Sequence, residues 1–188
     1  MEQIREYYEQ HFNISEHDWN IFASALVRQE FPRKALLLEV GETERYLSFV
    51  EQGVVRMYVP REENDLTCGL VFQHSFVSAY DSFLTQSPST YAVATITDSV
   101  LWRLTYADLQ RIYETTQVGN LIGRKASEEL FLKKSKRELA LLSQSADERY
   151  QDLFTERPEL IRQIPLKYVA SYIGITPQAL SRIRRRIS

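Results

Sequence analysis

The stretch of this sequence whose residue types and spacing point most sharply to a chemistry runs from 166 to 184, LKYVASYIGITPQALSRIR. Val169 and Ile173 stand four apart, Ala170 between them is small, and Gly174 falls where a chain leaving a helix can turn through positive φ. Ile175 fills the corner, Thr176 is an N-cap type, and Pro177 follows at the position where a missing N–H costs nothing. Leu180 and Ile183 repeat an apolar spacing, which leaves Gln178, Ser181, Arg182, Arg184 and Arg185 on the other side. The spacing predicts a helix-turn-helix whose second helix is polar and cationic outside. Such groups neutralise phosphates, and Arg or Gln can pair with the major-groove edges of guanine or adenine. Arg182 and Gln178 are the candidates for base contacts. Lys167, Thr176, Ser181, Arg184 and Arg185 are the candidates for phosphate, while Tyr168 and Tyr172 can reach either a phosphate or an apolar seam.

The charge distribution agrees with that chemistry. Over 188 residues, 23 Lys and Arg against 25 Asp and Glu give a formal net charge of -2, which by itself argues against a nucleic-acid partner. Split by position, the balance is different: residues 1–116 hold 9 basic and 17 acidic residues, and residues 117–188 hold 14 and 8. From residue 165 onward come Lys167, Arg182, Arg184, Arg185 and Arg186, with no acid at all. An acidic first part and a basic end point to a nucleic-acid-binding or membrane-binding end.

Other chemistries find little support. The single Cys68 makes no intramolecular disulfide and no iron–sulfur cluster, which points to a reducing compartment. His11, His17 and His74 form no HxH pair, and no GxSxG elbow or glycine-rich phosphate loop is present, so neither a metal site nor an enzyme is expected. The opening MEQIREYYEQ is acidic and lacks an apolar signal core, and no run of about 18 apolar residues occurs; a cytoplasmic protein without a membrane partner is expected.

The elements that must position the C-terminal residues follow from periodicity. Residues 3–28 read as helical, with Tyr7, Phe12 and Ile14 first and then Ser15 as an N-cap before Trp19, Phe22 and Leu26; Pro32 ends the segment. Short strands are predicted at 34–40, 46–51, 54–59, 65–72, 91–97 and 100–104, with an irregular stretch at 73–88 containing a short helix near 78–84. Strands at about ten-residue spacing predict a jelly roll or barrel. A short helix at 106–114 is followed by a long one at about 118–142, carrying Leu121, Ile122, Leu130, Leu132, Leu139 and Leu142 among lysines and arginines. A helix of roughly 25 residues spans about 37 Å, too long for a small barrel to cover, and its apolar stripe predicts a homodimer seam. The fold class is α+β: a β-roll at 1–116, a dimerisation helix at 117–144 and a helix-turn-helix domain at 145–188.

This order of parts resembles the Crp/Fnr family of bacterial transcription regulators over nearly the whole chain. Leu47-Ser-Phe-Val-Glu-Gln-Gly53 followed by Val54-Val-Arg-Met-Tyr58 looks like the family's strand–glycine–strand signature, and Ser145-Ala-Asp-Glu-Arg-Tyr-Gln-Asp-Leu153 like the helix that opens its DNA-binding domain. The resemblance implies a cyclic-nucleotide-binding-like double-stranded β-helix, a homodimer presenting two recognition helices, sequence-specific DNA binding, and contact with RNA polymerase. It also places an effector pocket at Phe76, Ser78, Tyr80, Ser89, Thr90 and Tyr91. Members that bind cyclic AMP carry Gly-Glu and Pro-Arg-Ala there. Here the stretches are Phe76-Val-Ser-Ala-Tyr80 and Pro88-Ser-Thr-Tyr91, so both charged ligand positions are lost and no cyclic nucleotide or other cofactor is expected. The alternative in keeping with the same fold is a dimeric ligand-sensing or scaffold protein that does not bind DNA.

Overall fold

The computed structural model describes residues 1–187 except the side chains of Glu2, Gln3, Tyr7, Gln10, His11 and Ile187, so the readings of Tyr7 and His11 above fall outside it. The chain divides into two compact units, Met1–Met57 with Leu70–Glu128, and Tyr58–Gly69 with Glu129–Ser188.

Two helices open the chain, α1 (Glu2–Phe12) and α2 (Glu16–Ala25). The Oγ of Ser15 accepts from the Asp18 N–H at 3.1 Å, the N-cap that its type suggests. The helical reading of 3–28 overruns the structure. Leu26 already has extended backbone angles, and Val27–Phe31 is a strand, β1. Its burial alternates weakly, and what makes it a strand is its pairing with a partner about seventy residues away, from Val27 opposite Arg103 to Phe31 opposite Ser99.

The remaining strands are β2 (Leu36–Leu38), β3 (Tyr46–Gln52), β4 (Val54–Val59), β5 (Leu66–Phe72), β6 (Ser75–Val77), β7 (Ala92–Thr95) and β8 (Ser99–Thr105). They form two four-stranded sheets in the orders β1-β8-β3-β6 and β2-β7-β4-β5. The three-residue β6, inside the stretch expected to be irregular, pairs antiparallel with β3. Gly53 sits between β3 and β4 at φ 99°, where a Cβ would come 2.6 Å from the carbonyl oxygen of Asp98.

Helices α3 (Tyr80–Thr85) and α4 (Tyr106–Thr115) flank the roll, and α4 begins with a reciprocal capping box between Thr105 and Asp108. Phe49 and Leu104 from β3 and β8 pack with Ile4, Tyr8, Trp19, Phe22, Leu109 and Ile112 of the helices. Successive strand residues point to opposite faces, so Ser48 and Arg103, directly opposite each other, belong to the other side of the sheet. Both faces of these strands are therefore covered, which explains their nearly continuous apolar runs.

Helix α5 runs from Gly119–Ser143, 25 residues. Its beginning is tied to α2: the N–H groups of Gln117 and Val118 donate to Oδ2 of buried Asp18 at 2.9 and 3.2 Å. The second unit continues with α6 (Ala146–Glu156), α7 (Pro158–Gln163), α8 (Leu166–Tyr172) and α9 (Pro177–Ile187). Ser145 and Glu148 form the capping box of α6. Tyr150, Leu153, Leu160, Ile164, Val169, Ala170, Ile173, Leu180 and Ile183 are all buried in the C-terminal helical region.

Candidate nucleic-acid interface

Helices α8 and α9 are built as their local sequence requires. Gly174 adopts φ 80°, and the N–H of Ile175 donates to the Ala170 carbonyl at 3.0 Å, closing the end of α8. The Thr176 Oγ1 accepts from the Ala179 N–H at 3.2 Å, capping α9 with Pro177 as its first residue. Val169, Ala170, Ile173, Leu180 and Ile183 are buried, so the opposite side of α9 faces out. Lys167, Thr176, Gln178, Ser181, Arg182, Arg184 and Arg185 are all exposed, and all except Lys167 lie on α9 or its cap. Lys167, on α8, has its ammonium 5.0 Å from the Tyr168 ring. Tyr172 lies under Arg137, whose guanidinium carbon is 4.8 Å from the ring centroid. That stacking uses the ring, which the sequence left between phosphate and seam.

Arg185 Nε donates to the Ser181 carbonyl at 3.4 Å, and Arg186 Nη2 bonds Asp147 Oδ1 at 2.6 Å. Among the described residues of α8 and α9 there is no carboxylate. The arrangement offers a row of exposed guanidiniums, an amide and hydroxyls on a rigid helix, with nothing resembling a nucleophile and base.

Within this unit the segment Tyr58–Gly69 is bound to α8. The Oγ of Ser171 accepts from the Thr67 N–H at 2.7 Å and donates to the Asp65 carbonyl at 2.5 Å. Arg137 Nη2 donates to the carbonyls of Thr67 and Tyr172 at 3.1 and 3.0 Å. Arg149 Nε donates to the Ile173 carbonyl at 2.9 Å, fixing the turn before α9.

The six residues expected to form an effector pocket all lie in the first unit. Phe76 and Tyr80 pack against the core shared with α1, α2 and α4, with Phe76 5.2 Å from the Phe49 ring. Ser78 donates to the Tyr46 carbonyl and Ser89 to the Tyr91 carbonyl. Thr90 is exposed, and the Tyr91 hydroxyl bonds Asp81. Beside Ala79 and Ser82 stands a polar network the sequence reading missed. Buried Glu44 accepts from the N–H groups of Tyr46 and Ala79 at 3.0 and 3.3 Å, and its own N–H donates to Ser82 Oγ at 3.0 Å. Burial raises its pKa, opposed by those backbone donors and the charge of Arg103. Arg103 is itself buried, donates to Ser48 and Gln29 at 3.2 and 3.0 Å, and lies 3.8 Å from the Tyr46 ring centroid. Burial lowers its pKa, and Glu44 pulls it back up. Among the described residues no group of His, Cys, Asp and Glu has the makings of a metal site.

Residues 28–116 match the family model of the cyclic nucleotide-binding domain. No curated protein matches the chain. Among solved structures, the c-di-GMP responsive global regulator CLP of Xanthomonas campestris is similar at a TM-score of 0.72 and 16% identity, over 92% of this chain and 91% of its own. A double mutant of CooA from Carboxydothermus hydrogenoformans gives 0.71 and 14%, over 93% and 80%. The catabolite activator protein of Thermus thermophilus gives 0.57 and 18%, over 94% and 84%. At such identities the likeness is one of fold.

The chain thus has a cyclic nucleotide-binding-like β-sandwich followed by a helical region, the fold class that the family resemblance implied. In the cyclic nucleotide-binding-like domain, the charged residues Glu44 and Arg103 escaped the sequence reading because neither lies in the two stretches that carry ligands in relatives. The available signal was an unpaired Arg at the centre of the apolar strand SVLWRLT, which needs a partner across the sheet. No helix among the described residues is long and apolar enough to cross a membrane.

Proposed function

We propose that this chain is a bacterial, cytoplasmic transcription regulator of Crp/Fnr type, which binds duplex DNA as a homodimer through α9. The observation that carries the reading is the exposed, acid-free face of α9 with Gln178, Ser181, Arg182, Arg184 and Arg185. Arg182 and Gln178 contact bases, and Lys167, Thr176, Ser181, Arg184 and Arg185 contact phosphates. The second copy packs on α5, where Leu132, Leu139 and Leu142 are 65%, 62% and 79% exposed. With Ser135 they follow a three–four–three spacing, the period of a two-helix seam. Contact with RNA polymerase belongs to the same proposal.

The roll works without a cyclic nucleotide, because the Ala79 N–H is occupied by the chain's own Glu44 carboxylate and the buried cation Arg103 is engaged by neighbours. Titration calorimetry with cyclic AMP should give no binding heat. Micromolar binding would contradict this.

Selection of bound duplexes from a random pool tests the DNA reading. The wild type should enrich a two-fold symmetric site, and Arg182→Ala should relax one base position in each half-site at a cost of about 1–3 kcal/mol. Absence of enrichment by the wild type supports the scaffold alternative.

A further inference from the structure

On the C-terminal side of α9, Arg182, Arg185 and Arg186 line a shallow cleft of about 600 Å³ with Ala179, Ile183 and Asp147. Among the described residues that line it, Asp147 is the only acid, and it comes from the first turn of α6. Its Oδ1 lies 2.6 Å from Arg186 Nη2, and both side chains are well exposed. Neither Arg182 nor Arg185 makes an ion pair among the described residues.

We propose that Asp147 is a built-in counter-anion, holding Arg186 in the free protein at the place a DNA backbone phosphate takes in the complex. This rests on the DNA-binding reading above. Three guanidiniums around one cleft repel each other, and a single carboxylate relieves that repulsion while leaving the cleft cationic. An exposed ion pair is weak and exchanges readily, whereas a backbone phosphate arrives with its neighbours along the strand, one of which Arg185 can take. Asp147 therefore weakens attachment to every duplex alike and carries no sequence information. Its role is to lower non-specific binding, so that the base contacts of α9 decide where the protein stays. Helix α6 does not depend on this side chain for its cap, which Ser145 and Glu148 supply.

The test compares full-length wild type, Asp147→Asn and Glu156→Gln for affinity to a duplex of arbitrary sequence, by fluorescence anisotropy over a range of salt. Glu156 bonds Lys136 at 2.7 Å on the same unit and is absent from the cleft, so its neutral variant controls for the bare change in charge. Asp147→Asn should bind about three- to tenfold more tightly, with a log–log salt slope steeper by up to about 0.9 for each carboxylate removed. Glu156→Gln should stay within about twofold of the wild type. Unchanged or weaker binding by Asp147→Asn, or an equal gain by Glu156→Gln, overturns the proposal while the wild type's own binding leaves the DNA reading standing. A wild type that binds no duplex overturns both.

Discussion

On the proposed pairing along α5, replacing Leu139 and Leu142 together by Glu should leave a monomer of 22.0 kDa, read by light scattering, and lower affinity for a symmetric DNA site at least about a hundredfold. Both leucines are more than 60% exposed on α5, together with Phe131 at 70% and Leu132 at 65%. Burying one leucine in a seam contributes about 1.5–3 kcal/mol, and a two-fold dimer contains each residue twice. Glutamates there remove that gain and oppose like charges across the seam. The DNA effect follows from linkage: two readers tied together meet their half-sites at an effective concentration near millimolar, and a monomer loses that advantage. A double variant that remains dimeric would place the interface elsewhere.

Asp18→Ala should lower stability by about 3 kcal/mol, or the melting temperature by roughly 6–12 °C. Asp18 is 1% exposed, and its Oδ2 takes the N–H groups of Gln117 and Val118, just before α5. Alanine leaves both donors without their carboxylate partner, each at about 1–3 kcal/mol. Asp18→Asn should lose far less, because an amide oxygen can accept both bonds and the other carboxylate oxygen, Oδ1, has no partner to forfeit. Thermal unfolding of the two variants separates the lost hydrogen bonds from the lost charge. An alanine variant melting within 2 °C of the wild type, taken as roughly half a kcal/mol, would refute this account of how α5 is anchored.

These two cases mark where the sequence is legible and where it is not. The turn before α9 could be read from Gly174, Thr176 and Pro177, because positive φ, capping and a missing N–H are properties of a residue and its immediate neighbours. The length of α5 could be read because an uninterrupted helical period lies within one segment. Asp18 was legible only as part of the first turn of α2; its bonds to Gln117 and Val118 join positions about a hundred residues apart. The strand Val27–Phe31 failed for the same reason, since its pairing with Ser99–Thr105 is created by the fold. Glu44 and Arg103 likewise come within electrostatic range of each other only through the fold. Local chemistry located the candidate interface, while the polar network around Glu44 and Arg103 emerged from long-range contacts.

The affinity of the wild-type protein for duplex DNA as a function of salt tests the central claim most directly. If α9 meets the phosphate backbone through its row of cations, log K should fall linearly with log salt, with a slope near -0.9 for each phosphate neutralised, and therefore near -5 or steeper for a dimer making six or more such contacts. A flat dependence, or no binding at low salt, would contradict the account.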